Sequence, residues 1–253
     1  MQISGRTAVV TGGAAGIGRA ASVALATRGA AKLVLVDVDC DGLAETARLV
    51  EAAKTAVETH VVDLADLAGL EAWLTGLPPY DILFNNAGIV AGVPQFPDTD
   101  AARVQTMVDI NLTAVIVATQ VAVRAMAARG GGVVINTVST VVLGTGFSDV
   151  LYAATKAGAM MFTQSCASLK ASHNVRVAGV LPGLTDTPIL KKTGGDGEYA
   201  PWMAPILAGN AMCTPEDIAA AVVDLIEDDT LPGGAWVAVR KVDGAVVREW
   251  GGR

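Results

Sequence analysis

The chain has 253 residues, 18 basic against 25 acidic side chains for a net charge of −7, and 52% hydrophobic residues of which few are aromatic. That length suffices for one large α/β domain, and an acidic balance without clustered Lys and Arg excludes a partner bound through nucleic-acid phosphates. Charged residues make up only 17%, below the usual quarter, which leaves surface that self-association would cover.

Cys40, Cys166 and Cys213 are odd in number and at no metal-ligand spacing. They read as small buried hydrophobes in a reducing compartment, with no metal expected. The opening "MQISGRTAVVTGG" has no apolar core of export-signal length. The apolar run "AVIVATQVAVRAMAA" from Ala114 contains Gln120 and Arg124 and reads as a buried helix, not a membrane span. A cytoplasmic protein with no membrane partner is expected.

In chain order, short β-branched runs alternate with longer Ala-rich segments of helical period. Strands are expected at Thr7–Val10, Leu33–Asp37, Thr59–Val62, Asp81–Asn85, Val133–Val138, Val175–Val180 and Trp236–Val239. Helices are expected near 17–28, 41–53, 66–75, 100–129, 151–172 and 214–227. Several strand runs are apolar at consecutive positions, as when helices cover both faces of a parallel sheet. The alternation predicts right-handed crossovers and one doubly wound α/β (Rossmann) domain over residues 1–253, with about seven strands. From Ile189 to Met212 the rhythm breaks into "ILKKTGGDGEYAPWMAPILAGNAM". So long a connection reads as a substrate-binding lid over about 189–212, because Trp202, Met203, Ile206 and Leu207 need cover.

"TGGAAGIG" follows the first strand and opens the first helix. Gly12, Gly16, Ile17 and Gly18 thus form a phosphate-binding turn: the backbone approaches a pyrophosphate and the helix N-terminus faces it. Asp37 ends the second strand, 19 residues beyond Gly18. A carboxylate there accepts from adenosine ribose hydroxyls and repels a 2′-phosphate. No Arg or Lys lies in the glycine turn or just after Asp37, so NAD is expected over NADP. "VVDL" sets Asp63 and Leu64 where the adenine would lie. "NNAG" places Asn86, Ala87 and Gly88 at the end of the fourth strand, although Asn–Asn before Ala–Gly also suits a plain turn.

In "LYAATKAG" Tyr152 stands four residues before Lys156, so in a helix both side chains leave one face. Such a pair could be an ordinary surface contact. Beside a nucleotide site, an ammonium would favour the phenolate and make the tyrosine a base. Ser139, thirteen residues earlier, would stabilise charge on a substrate oxygen. Asn111 is a poor helix former in mid-helix, and is expected to hold a water connecting Lys156 to solvent.

Taken together, TGxxxGIG, NNAG, Asn111, Ser139, YxxxK and the Pro182–Gly183 pair resemble the short-chain dehydrogenase/reductase family, in order and spacing, from Thr7 to about Thr187. The resemblance implies a nicotinamide cofactor and a catalytic tetrad of Asn111, Ser139, Tyr152 and Lys156. It further implies a ribose contact from Lys156, and a carboxamide held by the Thr185 backbone and the Thr187 hydroxyl beside Pro182 and Gly183. The chain departs from the pattern at Val138, where a first serine is usual, and in its ending "GGAWVAVRKVDGAVVREWGGR", where Val242–Gly244 faintly echoes the usual form. That ending looks more like the prostaglandin-dehydrogenase and insect-alcohol-dehydrogenase branch, so a homo-dimer is as plausible as a tetramer. Trp236 and Trp250 are expected at an interface, at the pocket border or in ordinary packing.

The expected activity is reversible NAD-dependent oxidation of a hydrophobic secondary alcohol: a hydroxysteroid, a lipid-like or an aryl alcohol. Two rivals remain at this stage. One is a redox sensor that binds NAD(H) without turnover. The other is a sugar-nucleotide epimerase or dehydratase, which normally needs a longer carboxyl-terminal portion.

Overall fold

The computed structural model describes residues 1–195, 197–209 and 211–252. Eight strands form one sheet: β1 Thr7–Thr11, β2 Lys32–Asp37, β3 Ala56–Val61, β4 Ile82–Asn85, β5 Gly132–Thr137, β6 Val175–Pro182, β7 Trp236–Val242 and β8 Ala245–Gly251. Their spatial order is β3-β2-β1-β4-β5-β6-β7-β8. The first seven are parallel and β8 is antiparallel to β7. Among the described residues the α-helices are α1 Gly16–Thr27, α2 Cys40–Ala52, α3 Leu67–Gly76, α4 Ala101–Val108, α5 Ala114–Ala127, α6 Val150–Ser165, α7 Leu169–His173, α8 Pro188–Lys191, α9 Met203–Gly209 and α10 Pro215–Glu227.

Consecutive apolar residues in the central strands serve two cores. Val9, Val34, Leu83, Val134 and Val177 pack with Leu70, Leu74, Ala118, Ala122 and Met126 of α3 and α5. Their immediate neighbours Val10, Leu35, Phe84, Ile135 and Ala178 pack on the other face with Leu25, Val222, Leu225 and Ile226 of α1 and α10. A period of two divides each strand between the two layers. Each fully buried aliphatic side chain contributes about 1.5–3 kcal/mol.

The doubly wound fold is as expected; four details differ from the sequence reading. β3 begins three residues early, at Ala56, and is an edge strand whose residues are mostly exposed, so the apolar pattern is weak at its start. An eighth strand closes the other edge through a two-residue turn at Asp243 (φ 48°) and Gly244 (φ 80°), with Val242 opposite Ala245. Asp–Gly with both φ positive is a hairpin signal; it lies in the "VDG" in which the sequence reading saw only a faint echo of the usual family ending. The long helix over 100–129 is interrupted by a π-helical turn, Asp109–Thr113, between α4 and α5. Finally, Cys40 is exposed while Cys166 and Cys213 are buried, so only two of the three cysteines are core residues.

Among the described residues one helical stretch, Ala101–Ala127, is long and apolar enough to cross a membrane by length and composition. It packs on the sheet through Ala114, Ala118, Ala122 and Met126. Within the expected lid, α8 and α9 are the only helices among the described residues; Asp196 and Asn210 lie outside them. Ala200 and Met203 are buried there.

Candidate active site

The site lies along the carboxyl ends of the parallel strands, at the switch point between neighbouring β1 and β4, where a doubly wound sheet opens its crevice. β1 ends at Thr11, and Gly12 turns the chain with φ 67°. A Cβ on Gly18 would stand 2.0 Å from the Gly12 carbonyl oxygen, so only glycine lets α1 start this close to the strand. Ala15 caps α1 without a side-chain hydrogen bond, and no acid lies in the first turn. The helix therefore presents free N–H donors and its positive end to the crevice, as an anionic pyrophosphate requires. Half-buried Ile17 packs against the core below.

Asp37 ends β2 directly beside this turn. Its Oδ1 accepts from the Val38 and Asp39 N–H groups at 2.8 and 3.2 Å, and Oδ2 accepts from the Ala14 N–H at 3.1 Å. The carboxylate is thus fixed in place with accepting capacity left on Oδ2. Arg19, one residue past Gly18, is a cation the sequence reading did not weigh. Its guanidinium donates to the Ala14 and Gly42 carbonyls and to Thr46 Oγ1, tying α1 to α2. Asp63 is exposed just beyond β3 and accepts from the Ala65 N–H, and Leu64 beside it is buried.

The NNAG segment is bolted to the glycine turn. Thr11 Oγ1 accepts the Asn86 and Ala87 N–H groups at 2.9 and 3.1 Å, and Asn86 Nδ2 donates to the Thr11 and Gly12 carbonyls at 3.2 Å each. Asn85 belongs to a buried chain of amides and hydroxyls with Thr119, Asn136 and Thr163. Gly88 leaves space above the reactive residues: a Cβ there would meet Asn111 Oδ1 at 3.2 Å and Lys156 Nζ at 3.4 Å.

Ser139 follows β5, 7% exposed, and its Oγ accepts the Val141 N–H at 3.4 Å. The first turn of α6 brings Tyr152 to it, and the Ser139 hydroxyl favours the ionised form of the phenol. Lys156 lies one turn on, 2% exposed, with Nζ 5.7 Å from the Tyr152 ring centroid. That ammonium donates to the Thr137 carbonyl at 2.9 Å. Burial pulls Lys156 down to about 8. Burial also pushes the phenol up to about 12, opposed by the Ser139 hydrogen bond and reinforced by the Asp149 charge. Burial is the first cause of both shifts, each toward the neutral form.

Asn111, fully buried in the π-helical turn, uses both amide protons. Nδ2 donates to the Ile89 carbonyl at 2.8 Å and to Thr155 Oγ1 at 3.2 Å, while Oδ1 accepts the Ile89 N–H at 2.8 Å. Its side chain is thus a bracket for the chain after β4; one lone pair of Oδ1 remains for the water the sequence reading assigned to it. π-turns inside helices accompany functional positions.

Across the crevice, β6 ends at Pro182, and Gly183 donates its N–H to the Val239 carbonyl at 2.8 Å. Buried Thr185 donates to the Gly183 carbonyl, and Thr187 to that of Thr185. The Thr187 methyl stands 3.0 Å from the place a Cβ on Gly16 would take, so the base of the lid overlies the glycine turn. Three rings lead outward from the reactive end. Phe147 lies 6.2 Å from Tyr152, and the Trp202 ring meets Phe147 edge-on at 5.4 Å. A separate groove of about 460 Å³ between α3 and α5, lined by Leu74, Tyr80, Val121 and Arg124 among others, contributes none of these residues.

Sequence reasoning missed Thr11, Thr155 and Asp149 as parts of this site. Asp149 had a signal: an acid three residues ahead of Tyr152 at the start of a helical pattern is an N-cap signature. The Thr11 hydroxyl and Thr155 had none, because their partners lie 75 and 44 residues away.

Residues 6–197 match the family described as short chain dehydrogenase. The chain is 35% identical over 228 residues to cis-4-hydroxycyclohexanecarboxylate dehydrogenase of Sinomonas cyclohexanicum, covering 88% of this chain and 90% of that one. It is 36% identical over 195 residues to levodione reductase of Leifsonia aquatica, covering 74% and 72%. A crystal structure of levodione reductase matches with a TM-score of 0.84 at 31% identity, over 95% of this chain and 97% of that one. With the sheet order, the glycine turn and the Ser–Tyr–Lys grouping, these findings place the chain in the short-chain dehydrogenase/reductase family. It is an oxidoreductase acting on CH–OH groups, in a family that uses NAD or NADP; structures of similar proteins hold either one.

Proposed function

We propose that the protein oxidises hydrophobic secondary alcohols to ketones, reversibly and with NAD, using Tyr152 as general base. The observation that carries this reading is the grouping of buried Ser139, Tyr152 and buried Lys156, the last one helical turn beyond Tyr152, beside an uncapped glycine turn.

In this reading the Ser139 hydroxyl holds the carbinol oxygen, and Tyr152 Oη accepts its proton as the carbonyl forms. Lys156 fixes the floor under the ring and offers its remaining protons to a ribose. Asn111 keeps the Ile89 backbone in register and Thr155 in line with the Tyr152 carbonyl, to which Thr155 donates at 2.9 Å. The first turn of α1 and Asp37 would hold the pyrophosphate and adenosine ribose, with Asp63 and Leu64 at the adenine, and Ala87, Gly88, Thr185 and Thr187 at the nicotinamide. NAD, when bound, supplies the hydride acceptor and a positive ring that favours the phenolate. The choice of NAD is supported by the immobilised Asp37 carboxylate, and by Arg19 being spent on two carbonyls and a hydroxyl.

A hydrophobic substrate is supported by the Tyr152–Phe147–Trp202 row. One similar protein is named for a hydroxycyclohexanecarboxylate, a cyclic secondary alcohol that also carries a carboxylate. Self-association and a cytoplasmic location belong to the same reading; light scattering after size exclusion tests the former, with a monomer counting against it. The decisive assay offers a panel of cyclic and open-chain secondary alcohols with NAD and with NADP, followed by reduced-nicotinamide absorbance. Turnover with NAD on apolar alcohols is expected. Turnover with NADP alone, or with none of the alcohols, sinks the proposal.

A further inference from the structure

Asp149 is a carboxylate only 2% exposed, and backbone N–H groups meet both its oxygens. Oδ1 caps α6 by accepting the N–H of Tyr152 at 3.0 Å, and Oδ2 accepts the N–H of Ala91 at 2.8 Å, 58 residues away. A buried carboxylate is retained when charge-assisted bonds of this kind replace its hydration. The segment Ile89–Ala91 is gripped from its other side as well. Asn111 brackets Ile89, and the Arg103 guanidinium donates to the Val90 and Ala91 carbonyls. One short piece of backbone is thereby tied to α4, to the π-helical turn and to α6, and the tie to α6 falls on Tyr152.

Resting on the reading of Tyr152 as base, we propose that Asp149 is a positioning residue: its carboxylate couples the turn carrying Tyr152 to the Ile89–Ala91 wall and sets a fixed negative charge against the Tyr152 backbone. The cations at this turn and wall are Lys156 on α6, with Nζ 5.7 Å from the Tyr152 ring centroid, and Arg103, which reaches from α4 to the Ala91 carbonyl. Asp149 is the carboxylate in this set, and it bears on the phenol. An ordinary N-cap would hold the helix equally well with any capping residue. The charge would then be irrelevant to turnover.

Three variants separate the two roles. Asp149→Ser keeps a helix cap and removes the charge, Asp149→Asn removes the charge at nearly constant shape, and Asp149→Glu keeps it. The acid limb of kcat/KM for alcohol oxidation is expected to fall by about half a pH unit or more in the Ser and Asn variants. It stays in place in the Glu variant, and the KM for NAD does not change. An unmoved limb in both neutral variants, or an equal shift in all three, overturns the proposal. A turnover-independent readout is the alkaline absorbance change of the phenol, identified by its loss in Tyr152→Phe. It should titrate at lower pH in Asp149→Asn than in the wild type, and an unchanged titration refutes the charge effect even if no alcohol proves to be a substrate.

Discussion

The ammonium of Lys156 binds the Thr137 carbonyl at 2.9 Å and lies 5.7 Å from the centre of the Tyr152 ring, so its first partner is the end of β5 and not the phenol. Both groups are buried, and burial disfavours the charged form of each. The pair therefore waits in its neutral direction: the phenol is held at about 12 and the lysine at about 8.

Replacing Tyr152 by Phe removes the proton acceptor and leaves the packing of the ring. Turnover is expected to fall by roughly 10²–10⁴-fold, the usual worth of a positioned acid–base group. NAD binding, read by fluorescence titration, should stay within about twofold. Retention of wild-type turnover would remove the phenol from the mechanism.

Lys156 carries a stability cost with a definite pH sign. Its folded value, about 8, is below the ordinary 10.5, so stability is lost as pH falls from about 10.5 to about 8, and the full cost applies below about 8. The gap corresponds to an order of 2–4 kcal/mol, partly offset by the Thr137 hydrogen bond. Lys156→Met should raise the Tm at pH 7 while abolishing turnover, and the gain should shrink as the pH approaches 10. Above pH 10 the wild type and the variant both weaken, because the raised Tyr152 phenol favours the folded state only while it keeps its proton. A lower Tm for the variant at pH 7 would show that the carbonyl contact outweighs the buried charge.

Gly18→Ala places a methyl 2.0 Å from a backbone carbonyl that cannot swing away as a side chain would. The turn must open, costing about 1–3 kcal/mol, and binding of NAD should be lost before the fold is. Chemical denaturation and calorimetric titration read the two effects separately; an unaffected Kd would mean the turn is not the pyrophosphate site.

At Asp37 the expected split is in cofactor use. Asp37→Ser leaves the Ala14, Val38 and Asp39 N–H groups underserved and withdraws the negative charge. The KM for NAD should rise about tenfold or more, equivalent to about 1.4 kcal/mol. NADP should become usable relative to the wild type. A variant with unchanged preference between the two would place cofactor selection elsewhere.

Much of this architecture was legible in the sequence because its causes are local. The glycine turn, the acid at the end of β2 and the Tyr–Lys spacing are short-range patterns with one mechanical reading each. What stayed hidden depends on contacts between distant segments or on a competing interpretation. The Lys156–Thr137 bond and the Asp149–Ala91 bond cannot be seen from spacing, and they decide which way the reactive groups lean. β8 was hidden for a different reason. Asp243–Gly244 had a plain hairpin meaning, but the resemblance of "VDG" to a family ending drew the reading away from it. Likewise the apolar repeat over 100–129 continues straight through Asn111, so periodicity gave no hint that the backbone widens there into a π turn.

The return of the chain at Cys213 has a consequence for how this molecule can diversify. Cys213 donates to the Leu184 carbonyl at 2.8 Å and accepts from the Asp186 N–H at 3.0 Å, so the excursion above the crevice begins and ends at one point. A detour fastened at its neck adds little entropy when lengthened, roughly 0.6 kcal/mol per doubling. It transmits little strain to the strands below. Exchanging the stretch from Ile189 onward on the same neck should therefore change the range of accepted alcohols while Thr187 and the strands beneath stay in place.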